Sequence, residues 1–267
     1  MNLFVMITAH YFKRAFRDIR EVVLLLAIPL GLVFINSMLG TNAEGLEFYG
    51  YNVIASIVAH AMILSFQFFT STMMVSFLYN DFKKDMRWRL KAAPHKTSTF
   101  LFPAFAANWL FSLIMGVIAI VLSAILFNVY WGNLFVLAAV LLLVSLIAVF
   151  ATFLIYLLTD SDKTANAMTY VVSFGMMILS GFMIPLQLFG DNFIITFLRT
   201  YGTPLSLGTS AIFNASRLND PRLANIFGAG AVGDGGMEEA LLRIGILAGM
   251  ALVLAVITFI IGRRRVS

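Results

Sequence analysis

The sequence consists of long, almost uncharged apolar runs separated by short polar segments. Six of these runs reach the length of about 18 residues or more that a helix needs to cross a bilayer. They cover residues 22–39, 51–79, 101–127, 134–158, 167–188 and 241–262. The runs are continuous and do not alternate with a period of two, which disfavours a membrane β-barrel. The pattern predicts an all-α polytopic membrane protein with six transmembrane helices in a single transmembrane domain, 1–267.

The composition narrows the range of possible functions. Hydrophobic residues make up 61% of the chain and charged residues 12%, whereas a soluble domain is roughly 25% charged. The chain has no cysteine, which excludes thiol nucleophiles, thiolate metal sites and disulfides. The polar remainder is too scattered for an ATPase domain, and no phosphate-binding G-x-x-x-x-G-K-[ST] motif occurs. We therefore expect no catalytic, nucleotide-binding or metal residues, and no cofactor in this chain.

Basic residues are concentrated on one side of the predicted topology. All six lysines lie in the N-terminal segment, in the loop 80–99 or in the connection after the fourth span. The C-terminus adds three arginines to the same side. By the positive-inside rule, both termini and the loop 80–99 are expected in the cytoplasm. Nucleic-acid binding explains this charge poorly, since the basic residues flank membrane segments.

The N-terminal segment, 1–21, has an amphipathic pattern of its own. Its apolar positions recur at helical spacing: Leu3, Ile7, Tyr11, Phe12, Phe16 and Ile19. Lysine and arginine fill the positions between them. This pattern predicts a helix that lies in the cytoplasmic membrane interface, and a solvated extension of the first span is the alternative.

The loop 80–99 is the one sizeable cytoplasmic connection that the pattern predicts. Phe82, Met86 and Leu90 form one stripe of a short helix, charges cover its other faces, and Pro94 ends it. Such a helix can lie on lipid or dock into a groove of a partner. Its basic residues are equally explained by the positive-inside rule alone, and both interpretations stay open at this point.

The second span carries polar residues on one face. Within an arc of about 100° lie Asn52, Ser56, His60, Gln67, Thr70 and Ser71. Ser65 lies on the opposite face. Unpaired polar groups are costly in hydrocarbon, so this arc must face protein or a water-filled path. Ordinary hydrogen bonding between helices and the lining of a translocation route are the two alternatives. His60 alone is expected to be a hydrogen-bonding residue and no metal ligand.

The segment 189–240 between the last two spans is the largest external element. Phe193, Phe197 and Leu198 are helix-spaced, and a second helix can begin at Thr203-Pro204, with threonine as cap and proline in the first helical position. Each helix is too short to cross the bilayer. Together they predict a re-entrant helical hairpin in the outer leaflet. Asn214-Ala215-Ser216 also matches the short pattern of a glycosylation acceptor.

Charged residues are missing from the middle of every predicted span. Ion-driven carriers usually hold the coupling ion with intramembrane ionisable groups, so a carrier is disfavoured. An intramembrane protease would need paired acids, a serine–histidine pair or an H-E-x-x-H helix. The spans contain no paired acids and no H-E-x-x-H motif, and no catalytic serine–histidine pair is expected, since His60 is expected to be a hydrogen-bonding residue.

This order of elements resembles the ABC-2 type permeases, the membrane subunits of ABC transporters, over nearly the whole chain. The run 85–94, DMRWRLKAAP, is similar to the family's charged helix that ends in a Leu-x-Ala-x-Pro-like turn. The run 179–185, LSGFMIP, resembles the Ser-Gly-x-x-x-Pro end of its fifth span. Thr203-Pro204-Leu205 lies where members often have Asn-Pro or Ser-Pro. Met86 departs from the family, in which many members carry glycine at this place.

The resemblance implies a fold like that of type V ABC exporters. The chain would be half of a transmembrane dimer with a second permease, identical or paralogous, and would not be an enzyme itself. A separate P-loop ATPase subunit would bind ATP and magnesium. The loop 80–99 would couple the two subunits through Phe82, Lys84, Asp85, Met86, Arg87, Arg89, Leu90 and Pro94.

The resemblance also implies outward transport across the cell membrane of a bacterium. The substrate would be a hydrophobic or amphipathic molecule such as a drug, an antimicrobial peptide or a lipid, with antibiotic resistance as one outcome. The external hairpin would gate its release through Phe193, Phe197, Leu198 and Pro204. The alternatives are an ion-coupled carrier or channel without an ATPase, and the membrane subunit of a complex that senses antimicrobial stress.

Overall fold

Eight α-helices make up most of the described chain. The computed structural model describes residues 3–40, 47–48, 51–84, 98–180, 193, 197, 201–216 and 236–266. The helices are α1 (Leu3–Arg17), α2 (Ile19–Gly40), α3 (Val53–Phe82), α4 (Ser98–Phe127), α5 (Leu134–Leu158), α6 (Asp162–Leu179), α7 (Pro204–Ser216) and α8 (Gly236–Val266). Two-residue strands, β1 (Glu47–Phe48) and β2 (Tyr51–Asn52), pair antiparallel before α3.

Five of the described helices are long and apolar enough to cross a membrane: α2, α3, α4, α5 and α8. The predicted span 167–188 begins within α6, which has 18 residues and is not among the five, and its last residues lie outside the described part of the chain. Large apolar side chains are exposed along α2 and α8. Exposed apolar surface of this extent is typical of helices that face lipid.

The helix α3 lies at the centre of the bundle. It contacts α2, α4, α5, α6 and α7. In the most apolar stretch of α3, 82% of the residues are buried, against 11% in α2. The polar side chains of α3 are therefore enclosed by protein, while α2 presents its apolar surface to the outside of the bundle.

The two ends of the bundle are built from different elements. At one end, α1 shares an apolar cluster with the ends of α3, α5 and α8 and the start of α4, through Tyr11, Phe82, Tyr156, Ile261 and Leu101. We call this the basic end, because the described lysines and most of the described arginines lie there. At the opposite end, the start of α3 packs against the connection 128–133 and α7.

The helix α7 begins where the capping pattern predicts. Pro204 is its first residue, and the hydroxyl oxygen of Thr203 accepts a hydrogen bond from the backbone N–H of Ser206 at 3.0 Å. Of its 13 residues 11 are buried, and it packs on α8, α5 and α3. A Cβ atom on Gly208 would lie 2.9 Å from Cγ1 of Val140, so α7 approaches α5 closely. This half of the predicted hairpin belongs to the core of the chain.

Candidate functional site at the root of the loop 80–99

The predicted coupling residues divide into two groups. Asp85, Met86, Arg87, Arg89, Leu90 and Pro94 lie outside the described residues. Phe82 and Lys84 are described: Phe82 is buried in the cluster at the basic end, and Lys84 is exposed. Phe82 therefore packs inside this chain. The contacts described below are those of residues 76–84, the last turns of α3 and the first residues of the loop, which we call the root of the loop.

Asp81 joins the end of α3 to the N-terminal helix. Its carboxylate accepts a hydrogen bond from the hydroxyl of Tyr11 at 2.9 Å. The same carboxylate accepts two hydrogen bonds from NH1 of Arg14, at 2.8 and 3.0 Å. The guanidinium of Arg14 also lies 4.3 Å from the centroid of the Phe77 ring, within cation–π distance. The side chain of Asp81 is only 12% exposed, so these donors replace most of its water and fix α1 against α3.

Tyr11 stays a hydrogen-bond donor over the whole physiological pH range. Burial raises the pKa of Tyr11 above its ordinary value, and the charge of the Asp81 carboxylate raises it further. A tyrosinate facing a carboxylate would repel it. The proton therefore stays on the hydroxyl oxygen of Tyr11, which donates it to the carboxylate of Asp81.

Lys83 joins the same end of α3 to the end of α5. Its ammonium group donates to the backbone carbonyls of Tyr156, at 3.1 Å, and of Thr159. Its nitrogen lies 4.6 Å from the ring centroid of Tyr79 and 4.7 Å from that of Tyr156. The hydroxyl of Tyr79 also donates to the carbonyl of Thr159, at 2.6 Å. These carbonyls are at the C-terminus of a helix, where intrahelical donors are missing and a cation is favoured.

Weaker contacts extend this junction to α6. Nζ of Lys84 lies 3.3 Å from a carboxylate oxygen of Asp162, in an exposed ion pair. Asn166 donates a hydrogen bond to the hydroxyl of Ser76 at 3.3 Å. The last turns of α3 are thus linked to α1 on one side and to the α5–α6 connection on the other.

The polar arc of α3 is buried by other helices of the same chain. The described side chains of the arc are Ser56, His60, Gln67, Thr70 and Ser71, all buried, and the side chain of Asn52 lies outside the described part. Ser65, on the other face, is buried as well.

Hydrogen bonds between helices account for the centre of this arc. The hydroxyl of Ser112 on α4 donates to Oε1 of Gln67 at 2.7 Å and lies 2.8 Å from Oγ1 of Thr70. A Cβ atom on Gly116 would lie 2.6 Å from Nε2 of Gln67, so Gly116 leaves room for the Gln67 side chain in this position. In the structure, this part of the arc forms hydrogen bonds with a neighbouring helix, which is the first of the two alternatives. That the arc lines a translocation route stays a prediction.

His60 lies in an aromatic cluster at the opposite end. Its ring centroid is 4.4 Å from that of Trp131 and 5.1 Å from that of Phe213. Its Nδ1 is hydrogen-bonded to the carbonyl of Ser56, while Nε2 has no hydrogen-bond partner among the described residues. Within the described ranges, no three histidine or acidic side chains are grouped as a metal site would require.

The predicted gate residues have contrasting environments. Phe193 is 84% exposed and Phe197 is 51% exposed, and their rings are stacked at a centroid distance of 6.3 Å. Pro204 is buried at the start of α7. Leu198 lies outside the described residues. The two phenylalanines form an aromatic surface next to the buried α7.

Two residues of interest at the opposite end were not singled out from the sequence as site residues. Asn214, which matches a glycosylation acceptor, is 2% exposed, and neither atom of its amide has a hydrogen-bond partner among the described residues. A buried side chain cannot accept a glycan in this conformation.

Arg243, the second of these residues, is buried although the sequence suggests only an external positive charge. It is 3% exposed, its guanidinium pairs with Glu239 one turn earlier, and it lies 5.9 Å from the ring centroid of Tyr201. Its NH1 has no hydrogen-bond partner in the described part of the chain. The four-residue spacing of Glu239 and Arg243 is the signal from which their pairing could have been predicted.

Comparison with known proteins identifies the family. No curated protein matches the sequence. Residues 22–260 match the family described as ABC-2 family transporter protein. The matched region runs from the first turn of α2 almost to the end of α8 and includes the site at the end of α3, whereas α1 precedes it. The chain therefore belongs to the ABC-2 family of transporter proteins and is a multi-pass membrane component of such a transporter.

Proposed function

We propose that the chain is the permease subunit of an ABC exporter that moves a hydrophobic or amphipathic molecule outward. A separate P-loop ATPase, with ATP and magnesium, binds at the basic end, which faces the cytoplasm and carries both termini. The observation that carries this proposal is the family match over residues 22–260. The basic charge of that end supports the orientation.

The contacts of Asp81 and Lys83 support a coupling role for the loop 80–99. The loop leaves α3 directly after these residues, which bind α1 and the end of α5. A force that the ATPase applies to the loop would therefore reach two helices besides α3, namely α1 and α5. In this proposal, Arg87, Arg89 and Leu90 contact the ATPase, and Phe82 positions the loop from inside the cluster at the basic end.

Six membrane crossings are supported by where the described helices begin and end. The helix α5 ends at the basic end, where Ala165 of α6 joins the same cluster as Tyr11. The helix α7 packs at the opposite end, from which α8 returns to the basic end at Ile261. In this proposal, the chain therefore crosses once between α5 and α7. An even number of crossings then leaves both termini on the same side, as the positive-inside rule requires.

We place the exit of the route at the opposite end, beside α7. His60 and Asn214 are buried there with polar atoms that lack partners among the described residues, and such atoms favour a ligand when they become accessible. Phe193 and Phe197 add an exposed aromatic surface. A shift of α7 away from α3 would open the polar arc to this surface. A second permease, identical or paralogous, would complete the route.

Reconstitution with the ATPase tests the proposal. The chain is co-expressed with a P-loop ATPase subunit, purified, and incorporated into vesicles loaded with fluorescent amphipathic dyes. We expect co-purification, and dye movement that requires ATP and both chains. Movement driven by an ion gradient without the ATPase would overturn the proposal in favour of a carrier.

A matched pair of loop replacements tests the docking site. A Gly/Ser linker in place of residues 85–94 is expected to abolish co-purification of the ATPase. The same linker in place of residues 217–226, a segment of equal length at the other side of the predicted topology, is the control and is expected to leave co-purification intact. If the first variant retained the ATPase fully, docking through this loop would be wrong.

A further inference from the structure

An open cleft at the basic end lies between α1 and α2. It has a volume of about 570 Å³, which is within the usual range of about 300–1,000 Å³ for small-molecule sites. Its lining consists of Arg14, Arg17, Asp18, Ile19, Arg20 and Phe77. Three arginines and one aspartate thus line one cleft.

The charge of this cleft is only partly neutralised by the protein. Arg14 is paired with Asp81, as described above. Arg17 and Arg20 are exposed, and neither forms an ion pair or a hydrogen bond with a residue that the structure describes. Asp18 is the one acidic residue of the lining, and its charge offsets that of one of these two arginines. The cleft therefore retains an excess of positive charge and favours an anion with several acceptor oxygens, since arginine matches phosphate in geometry.

The start of α2 adds to the attraction for an anion. The first helical hydrogen bond runs from the N–H of Val22 to the carbonyl of Asp18, at 3.1 Å. The N–H groups before Val22 therefore have no partner within the helix, and the positive end of the helix dipole lies at the cleft.

An apolar surface continues from the cleft along α2. Ile19 and Phe77 are part of the lining, and the next turns of α2 expose Val23, Leu24 and Ile28. A ligand that fills the cleft and follows this surface needs a phosphate at one end and hydrocarbon at the other. Basic pockets beside transmembrane helices are known to recognise lipid head groups.

We propose that this cleft binds the phosphate group of an anionic phospholipid from the leaflet at the basic end, with its acyl chains along the exposed face of α2. Arg17 and Arg20 hold the phosphate, and Arg14 contributes while it pairs with Asp81. The bound lipid fixes the angle between α1 and α2. This site is separate from the proposed transport function and does not depend on it.

Lipid titration of the purified full-length chain tests the site. The protein in a zwitterionic detergent is titrated with short-chain phosphatidylglycerol, and binding is measured by native mass spectrometry and by the rise in unfolding temperature. The variant R17Q/R20Q removes two charges from the cleft. The control K13Q/R263Q removes two exposed charges from the same end, outside the cleft. An arginine near an anionic lipid contributes about fivefold in affinity, so we expect roughly 30-fold weaker binding for R17Q/R20Q and no comparable change for the control.

Two further titrations identify the ligand. Inorganic phosphate is expected to bind far more weakly than the lipid, because it lacks the acyl chains. Short-chain phosphatidylcholine is expected to bind more weakly than phosphatidylglycerol, because its net charge is zero. Equal affinity of the two double variants would overturn the site. Equal binding of inorganic phosphate would overturn the lipid as occupant, and equal binding of phosphatidylcholine would overturn the recognition of charge.

Discussion

The two ends of α3 are held in place by different kinds of contact. At the basic end, Asp81, Lys83 and Lys84 bind charged or strongly polar partners on three other parts of the chain. At the opposite end, His60 lies between aromatic rings, and Gly132 brings the connection 128–133 against α7. The basic end depends mainly on charge and hydrogen bonding. The opposite end depends mainly on close packing, and the N–H of Tyr130 also donates to Oγ of Ser56 there, at 2.9 Å.

This difference suggests that the two ends respond differently when the loop 80–99 moves. The exposed pair of Lys84 and Asp162 can exchange its partners for water at modest cost, so this contact of the basic end can rearrange. Closely packed side chains have no such substitute, because gaps and overlaps are both costly. Movement that enters through the loop 80–99 is therefore expected to change contacts at the basic end and to displace the opposite end as a unit.

The largest effect is expected from a single methyl group at the opposite end. Gly132 has a φ of +63°, and a Cβ atom there would lie 2.3 Å from Cβ of Ser216. Gly132→Ala combines an unfavourable left-handed backbone with overpacking, so we expect it to lower the free energy of unfolding by about 2–5 kcal/mol. Thermal unfolding in detergent, followed by size-exclusion chromatography, measures the loss.

Two further variants separate packing from a general effect of alanine. Gly249→Ala on α8 meets no atom within 4 Å and is expected to be neutral or slightly stabilising. Ser216→Gly in the Gly132→Ala background removes the clashing atom and is expected to restore part of the stability. Wild-type stability of Gly132→Ala alone would contradict the close contact with α7.

Much of the fold was predictable because hydrophobicity and capping are local signals. The helices α2, α3, α4, α5 and α8 coincide largely with apolar runs, and the Thr203-Pro204 pair predicted the start of α7. The packing of α7 was not predictable in the same way. Its sequence mixes serine, threonine and leucine, a composition that suits an interfacial hairpin as well as a core helix.

The site was less predictable because its contacts join distant parts of the chain. Asp81 lies 70 residues from Tyr11 and 67 from Arg14 in the sequence, and nothing local marks the three as partners. The polar arc of α3 was recognisable from its helical spacing. Whether its side chains meet Ser112 or water depends on which helix packs beside it, and periodicity carries no information on that.

The second-largest effect is expected at Asp81. Asp81→Asn keeps the shape of the side chain but removes the charge that binds Arg14 and Tyr11. Hydrogen bonds to charged groups contribute about 1.5–3 kcal/mol, so we expect a loss of that size in the free energy of unfolding. Asp160→Asn is the matched control, because Asp160 is exposed at the same end. Equal losses in both variants would mean that the fixation of α1 contributes nothing specific.

A smaller effect should distinguish the two adjacent lysines. Lys83→Met removes the donor to the carbonyls of Tyr156 and Thr159, and we expect a loss of about 1–2 kcal/mol, moderated because Tyr79 still donates to Thr159. Lys84→Met removes an exposed ion pair, which contributes about 0–1 kcal/mol. Raising the salt concentration should weaken only the Lys84 contact noticeably. Chemical denaturation of both variants at two salt concentrations tests the order, and a larger loss for Lys84→Met would reverse it.

The smallest effect is a change in pH dependence at Tyr11. Burial and the Asp81 carboxylate raise the pKa of Tyr11 in the folded chain, whereas an unfolded tyrosine has a pKa of about 10. Above that value the unfolded chain loses the proton and the folded chain keeps it. The contribution of Tyr11 to stability is therefore constant below about pH 9 and falls as the pH rises through 10. Between pH 9.5 and 10.5 the wild type should lose about 0.7 kcal/mol relative to Tyr11→Phe, which has no proton to lose. The difference between the two proteins cancels the titration of the other tyrosines and lysines. If the free energies of unfolding of the wild type and of Tyr11→Phe changed in parallel up to pH 10.5, Tyr11 would not be a buried donor to Asp81. Only the pair of Arg14 and Asp81 would then fix α1 to the end of α3.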